Sequence, residues 1–227
     1  MLRIPQVLSQ EHLARLHSSL SREDAPWVDG RVTAGHQGVG VKYNQQLDEA
    51  SPLARELREV VIAELERNPT FVSAALPSKV YPPMFNRFAA GMSFGTHVDG
   101  TVRAIAGSNA RLRCDLSATL FLSAPESYEG GELVIESDFG SQAVKLAAGD
   151  LFVYASSARH RVNAVSRGQR LAAVFWIQSL VREDVKRHLL FELDRTIQRL
   201  TQLQADQDCM IRLTSHYHGL LRLWSEV

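Results

Sequence analysis

The strongest constraint on how this chain folds is a series of six short strand-like runs between residues 117 and 178. They are "SATLFLS" (117–123), "ELVIES" (132–137), "QAVKL" (142–146), "DLFVYAS" (150–156), "HRVNAV" (160–165) and "LAAVFWIQ" (171–178). Turns containing glycine, "EGG", "AAGD" and "SRGQ", separate several of them. β-Branched and aromatic residues in runs this short, closed by glycine, read as strands. Short strands at this spacing predict a sandwich or a jelly roll. Gly130, Gly131 and Gly149 read as turn glycines.

The flanks have a different texture. Residues 1–77 predict two helices in a mixed support region. Ser9 caps the first, which runs to about Leu20 with Leu13, Leu16 and Leu20 on one face. Ser51 caps the second, Pro52 opens it and Asn68-Pro69 ends it, with Leu53, Leu57, Val60, Val61 and Leu65 as its apolar stripe. Residues 78–180 form the β-rich core. Residues 181–227 turn helical again, with Val185, Leu189, Leu193, Ile197 and Leu200 at helical spacing and a second helix over about 207–225. That zone reads equally as an appendage on the core or as a contact for homo-oligomers.

A length of 227 residues with 45% hydrophobic content suits one large domain, or a domain with an appendage. Lys+Arg and Asp+Glu both number 25, so net charge offers no case for nucleic acid or an anionic membrane as main partner. The start, "MLRIPQVLSQEHLARL", lacks the apolar core and cleavage site of a signal peptide. No stretch approaches the roughly 20 apolar residues that span a bilayer. The expectation is a soluble, cytoplasmic chain. Cys114 and Cys209 read as buried free thiols.

The chemistry begins at "FGTHVDG" (94–100). Residues i and i+2 of a strand share a face, so His97 and Asp99 can present an imidazole and a carboxylate together. A third ligand is offered by His160, which begins the "HRVNAV" run. Arg170 follows ten positions later, and alternation places Arg170, Ala172, Val174 and Trp176 on one face. A charge on such a face needs a partner, either a structural ion pair or a ligand carboxylate. Two histidines and one carboxylate make up the facial triad of non-haem Fe(II) oxygenases, which leaves positions open for a bidentate cosubstrate and O2. With 2-oxoglutarate as cosubstrate, the distal carboxylate needs a cation, and the planar fork of arginine suits it.

The pattern H-x-D … H-x9-R within a jelly-roll run resembles the Fe(II)/2-oxoglutarate-dependent dioxygenases, whose core is a double-stranded β-helix. "FVSAALP" (71–77), "YPPMFNRF" (81–88), "DLSATLFLS" (115–123), "YEGGELVI" (128–135) and "LLRLWSE" (220–226) look like bacterial PKHD-type hydroxylases. These are prolyl 4-hydroxylase-like proteins, some associated with iron uptake (PiuC-like). The resemblance covers essentially the whole chain. It implies a mainly β fold with flanking helices: a jelly-roll core, N-terminal supporting helices and a helical C-terminal extension. It makes His97, Asp99 and His160 the iron ligands and Arg170 the 2-oxoglutarate anchor. It also implies O2 as cosubstrate and L-ascorbate as the reductant that keeps iron ferrous. Related halogenases lack the carboxylate, so an intact Asp99 favours hydroxylation, with 2-oxoglutarate converted to succinate and CO2. Phe88 departs from the family, where tyrosine often follows "NR".

Further residues join the site as expectations. Thr119 alternates with Ser117 and Phe121 onto one strand face and is a candidate cosubstrate contact. Asn86, Arg87 and Arg103 are candidate substrate contacts, Arg103 lying in an irregular segment (100–115) that reads as a solvated loop or a lid. His216 and His218 do not share a helical face, and His12, His17, His36 and His188 have no partner pattern. The substrate, a small molecule such as a siderophore or a peptidyl residue, is not identified by the sequence. Two other readings remain at this point: a cupin-type metalloenzyme without 2-oxoglutarate, and a non-catalytic iron or 2-oxoglutarate sensor.

Overall fold

Two antiparallel sheets form the centre of the computed structural model, which describes residues 1–35, 38–105, 107, 109–138 and 140–226. The larger runs, in order, through Leu2–Ile4, Leu151–Ala155, Leu116–Phe121, Val165–Ser179, Met84–Ala89, Gln45–Leu47 and Trp27–Asp29. Pro77–Val80 and Tyr128–Gly130 pair with the two ends of Val165–Ser179. The smaller sheet runs Gly140–Val144, Leu133–Ser137, Arg159–Val162, Ser93–His97 and Lys42–Tyr43. This is the expected jelly-roll core.

Alternation along Val165–Ser179 divides the interior in two. Leu171, Ala173, Phe175 and Ile177 point into a core shared with helices α1 (Gln10–Leu20), α2 (Pro52–Arg67) and α3 (Pro69–Ala75). Arg170, Val174 and Trp176 point the other way and line a cavity between the sheets. Phe121, Phe152 and Tyr154 from the large sheet meet Leu133, Ile135 and Val162 from the small one.

The helix ends follow their caps. The Ser9 hydroxyl accepts from the His12 amide at 3.1 Å, and the Ser51 hydroxyl from the Ala54 amide at 3.1 Å. Asn68 ends α2 but also starts α3, its side chain accepting from the Phe71 amide at 2.9 Å. Asn followed by Pro is a start signal as well as a stop, and the sequence reading used only the second meaning. The first 77 residues also contribute strands to both sheets: Leu2–Ile4 borders Leu151–Ala155, and Lys42–Tyr43 borders Ser93–His97.

Helices α4 (Asp184–Gln202) and α5 (Gln207–Trp224) form the C-terminal extension. The inward face of α4 is not the expected stripe: Val185 and Leu189 are 71% and 53% exposed, while Arg187, Leu190 and Phe191 are buried. Leu190 packs on Leu76 and Val181, so the end of α3 and the exit of the last strand set the rotation of α4. Cys114 is buried, as expected, but Cys209 is exposed on α5. Val102–Ala104 pairs antiparallel with Arg111–Arg113 as a two-stranded ladder, where an irregular loop was expected. Leu112 anchors it, with no exposure, among Tyr81, Met84 and Trp176. His36 lies outside the described residues. Among the described residues, no helix is long and apolar enough to cross a membrane.

Candidate metal centre and cosubstrate pocket

Strands Ser93–His97 and Arg159–Val162 lie side by side in the small sheet, and their register sets His97 directly opposite His160. Asp99 follows as the first strand ends. Ligand atoms of His97, Asp99 and His160 all lie within 4.8 Å of one another. His160 Nε2 is 3.7 Å from Asp99 Oδ2.

Both rings are held in the same way. His97 Nδ1 meets the Gly95 carbonyl at 2.8 Å, and His160 Nδ1 meets the Ala158 carbonyl at 3.0 Å. A carbonyl only accepts, so each Nδ1 carries the proton and each Nε2 lone pair is free for a metal. Phe94 stacks on His97 with ring centroids 3.6 Å apart. Burial, reinforced by the neighbouring His160, brings the His97 pKa down to about 4, so its ring is neutral at pH 7. The donor set of two imidazoles and one carboxylate fits Fe(II).

Ser117 orients the carboxylate. Its hydroxyl donates to Asp99 Oδ2 at 2.6 Å, and its single proton is thereby used, so it accepts from Ser156 Oγ at 2.9 Å. Outer partners of this kind typically contribute about 10–100-fold to metal affinity. Ser117→Ala is therefore expected to weaken Fe(II) binding by about tenfold without loss of fold. An anaerobic metal titration that finds unchanged affinity removes Ser117 from the centre.

Arg170 lies at the other end of the cavity, 1% exposed. Its guanidinium carbon is 5.4 Å from the Phe88 ring centroid and 5.3 Å from that of Phe121. Its Nε has no hydrogen-bond partner, and no carboxylate among the described residues lies within ion-pair distance. Burial pulls its pKa down from the ordinary arginine value, while the Tyr128 and Tyr154 hydroxyls oppose that shift. A buried, unpaired guanidinium is costly unless a ligand completes it, so the pocket fits a cosubstrate carboxylate. Thr119 and Tyr154 are both buried and line the cavity between Arg170 and the metal ligands. Burial raises the Tyr154 phenol well above its usual value, so it remains a neutral hydroxyl.

Gly131 makes room for the arginine stem, a role the sequence reading missed. A Cβ there would sit 2.9 Å from Val165 Cγ2 and 3.1 Å from Arg170 Cδ, at a φ of +67°. Gly131→Ala is expected to cost about 1–3 kcal/mol of stability and to weaken 2-oxoglutarate binding. Denaturant unfolding that matches wild type would count against this.

The cavity, about 700 Å³, also receives Asn86, Arg103, Lys42 and Trp176. Asn86 Oδ1 accepts from Asn44 Nδ2 at 2.9 Å. Burial, helped by the Arg103 charge, takes the Lys42 ammonium down to about 8. Arg87 is placed elsewhere: it stacks on Trp27 at 4.5 Å, donates to Gln45 at 2.8 Å and does not line the cavity. Lys42 carries no sequence signal of its own, because its two-residue strand is too short to show periodicity.

Residues 83–178 match the 2OG-Fe(II) oxygenase superfamily, and residues 184–226 match the PKHD-type hydroxylase C-terminal domain. A PKHD-type hydroxylase of Burkholderia ambifaria is 54% identical over 226 residues, spanning 100% of this chain and 99% of its own. Another, from Stutzerimonas stutzeri, is 53% identical with both chains fully covered. The fold is shared with a Pseudomonas putida prolyl-4-hydroxylase (19% identity, TM-score 0.53, covering 78% of this chain and 91% of that one). It is also shared with a Trichoplax adhaerens prolyl hydroxylase solved with a hypoxia inducible factor peptide (14% identity, TM-score 0.55, covering 83% and 86%). Whole-length relatives at this identity, together with an oxygenase core that brings together two histidines on neighbouring strands and an aspartate just beyond one of them, make this chain a member of the PKHD-type hydroxylase family.

Proposed function

We propose that the protein is an Fe(II)- and 2-oxoglutarate-dependent dioxygenase that hydroxylates a substrate held at the mouth of the cavity. The observation that carries this reading is the pairing, in one cavity, of a three-ligand cluster with a buried arginine that has no ion-pair partner among the described residues. His97 and His160 through Nε2, with the Asp99 carboxylate, would hold the iron. Arg170 would hold the distal carboxylate of 2-oxoglutarate, with Thr119 beside it. Bound Fe(II), with 2-oxoglutarate and O2, supplies the oxidising power for C–H hydroxylation, with succinate and CO2 as co-products.

The chain's own contribution is positioning and shielding. Phe88 and Phe121 flank the guanidinium and exclude water from its pairing with a carboxylate. Ser117 orients Asp99, and Phe94 fixes the plane of His97. Asn86 and Arg103 face the same space and would contact substrate. Ascorbate as the reductant is supported by family membership alone.

The test is an anaerobic titration of apo-protein with Fe(II) and then 2-oxoglutarate, following the visible charge-transfer absorption of chelated iron. The band is expected. Iron binding without the band would overturn the cosubstrate assignment, and no iron binding would overturn the whole reading.

A further inference from the structure

We infer that the substrate carries a carboxylate-type anionic group on an apolar body, and that Lys42 and Arg103 hold that group at the mouth of the cavity. This rests on the dioxygenase reading and names the substrate class for the same site.

Two arginines outside the cavity lining are already matched. Arg113 is paired with Asp115 at 2.7 Å and Glu226 at 2.8 Å, and Arg58 with Glu49 at 3.2 Å. Lys42 and Arg103 are not matched by any carboxylate within ion-pair distance among the described residues. Lys42 is 7% exposed, and its ammonium donates only to neutral oxygens, Thr33 Oγ1 at 3.0 Å and Gln46 Oε1 at 3.4 Å. The Arg103 guanidinium lies over Trp176 at 3.9 Å and Tyr81 at 5.0 Å, and its Nε is buried with no partner. Trp176 Nε1 beside it is also buried and unpartnered. Aromatic faces hold the arginine plane in place without using its hydrogen bonds.

The charge balance points the same way. Asp99 is the one acidic side chain among the described residues that line the cavity. A divalent metal and Arg170 together add three positive charges, which Asp99 and dianionic 2-oxoglutarate cancel. The charges of Lys42 and Arg103 then remain, with no further carboxylate among the described lining residues to balance them.

Distance keeps this pair apart from the cosubstrate anchor. Trp176 lies six residues beyond Arg170 (176 − 170) on one strand, about 20 Å at roughly 3.3 Å per residue. Ser117, which orients Asp99, pairs in register with Trp176. Arg103 therefore sits at the metal end of the cavity, away from Arg170. Val32, Met84, Val102 and Val174 line the same region and would take the apolar body.

The experiment uses full-length protein saturated anaerobically with Fe(II) and 2-oxoglutarate, so that Arg170 is occupied. Benzoate, benzamide and benzylamine are titrated calorimetrically as probes that share a ring and differ in charge. Benzoate should bind about tenfold or more tighter than benzamide, and benzylamine weakest. In Lys42→Met/Arg103→Met the benzoate-to-benzamide ratio should fall towards one while the charge-transfer band persists. Arg103→Met alone, at a half-buried position, gives the partial effect even if the double variant folds poorly. Equal binding of the probes, no benzoate binding, or a preference that survives both substitutions would overturn the inference. A missing band in wild type with the benzoate preference intact would strike the dioxygenase reading alone.

Discussion

Arg170→Leu is expected to raise the 2-oxoglutarate concentration for half-saturation by about 100-fold or more, with Fe(II) binding retained. Truncating one partner of a buried, hydrogen-bonded charge pair typically costs about 2–5 kcal/mol, and each 1.4 kcal/mol is about tenfold. A second expectation distinguishes a ligand anchor from a structural ion pair. Among the described residues the arginine has no carboxylate at ion-pair distance to leave behind, and its side chain is buried. Apo Arg170→Leu should therefore be at least as stable as wild type, whereas losing a structural bridge would destabilise it. Thermal unfolding of both proteins, with and without 2-oxoglutarate, reads both effects. Only wild type should gain stability from the cosubstrate. A variant that melts well below wild type without ligand would assign Arg170 to the fold instead.

His160→Ala is expected to lower Fe(II) affinity by about 100-fold or more and to abolish the charge-transfer band. Structural zinc sites gain about 10–16 kcal/mol from four ligands, roughly 3 kcal/mol for each, and a three-ligand site has none to spare. Apart from its contacts with His97 and Asp99, the ring meets a backbone carbonyl and the edge of Tyr154 at 5.2 Å, while strand pairing is carried by the backbone, so its removal leaves the small sheet paired. His216→Ala on α5 is the control and should bind iron as wild type does. Near-normal metal binding by His160→Ala, measured by anaerobic titration, would dissolve the proposed centre.

The jelly-roll core was legible because long strands show their period. Leu133–Ser137 and Leu151–Ala155 lie on runs read as strands, as do nearly all of Leu116–Phe121 and the 171–178 part of Val165–Ser179; "SRGQ" (166–169), read as a turn, instead continues that last strand, where it pairs with Tyr128–Gly130 and Met84–Ala89. Alternation in the last correctly put Arg170, Val174 and Trp176 on the cavity side. Strands of two or three residues, such as Lys42–Tyr43 and Val102–Ala104, show no period and were missed. The rotation of α4 was misread because its two apolar stripes compete, and contact with Leu76 and Val181 decides between them. At the site, the residue types and spacing of His97, Asp99, His160 and Arg170 drew attention to them as a set. Ser117, Gly131 and Lys42 matter through proximity created by the fold, which a linear reading does not contain.

The strand Val165–Ser179 has a consequence for folding fidelity. Its odd-numbered residues from Leu171 to Ile177 fill the helix-backed core, and its even-numbered ones include the cosubstrate anchor and the tryptophan beneath Arg103. A slip of one residue exchanges the two faces. It would drive Arg170 into the apolar core and turn Phe175 and Ile177 towards the cavity. Misregistered chains would thus be unstable as well as inactive, so the quality control that removes unfolded protein also removes defective catalytic centres. Correct assembly of the pocket is inspected by the core, before any substrate arrives.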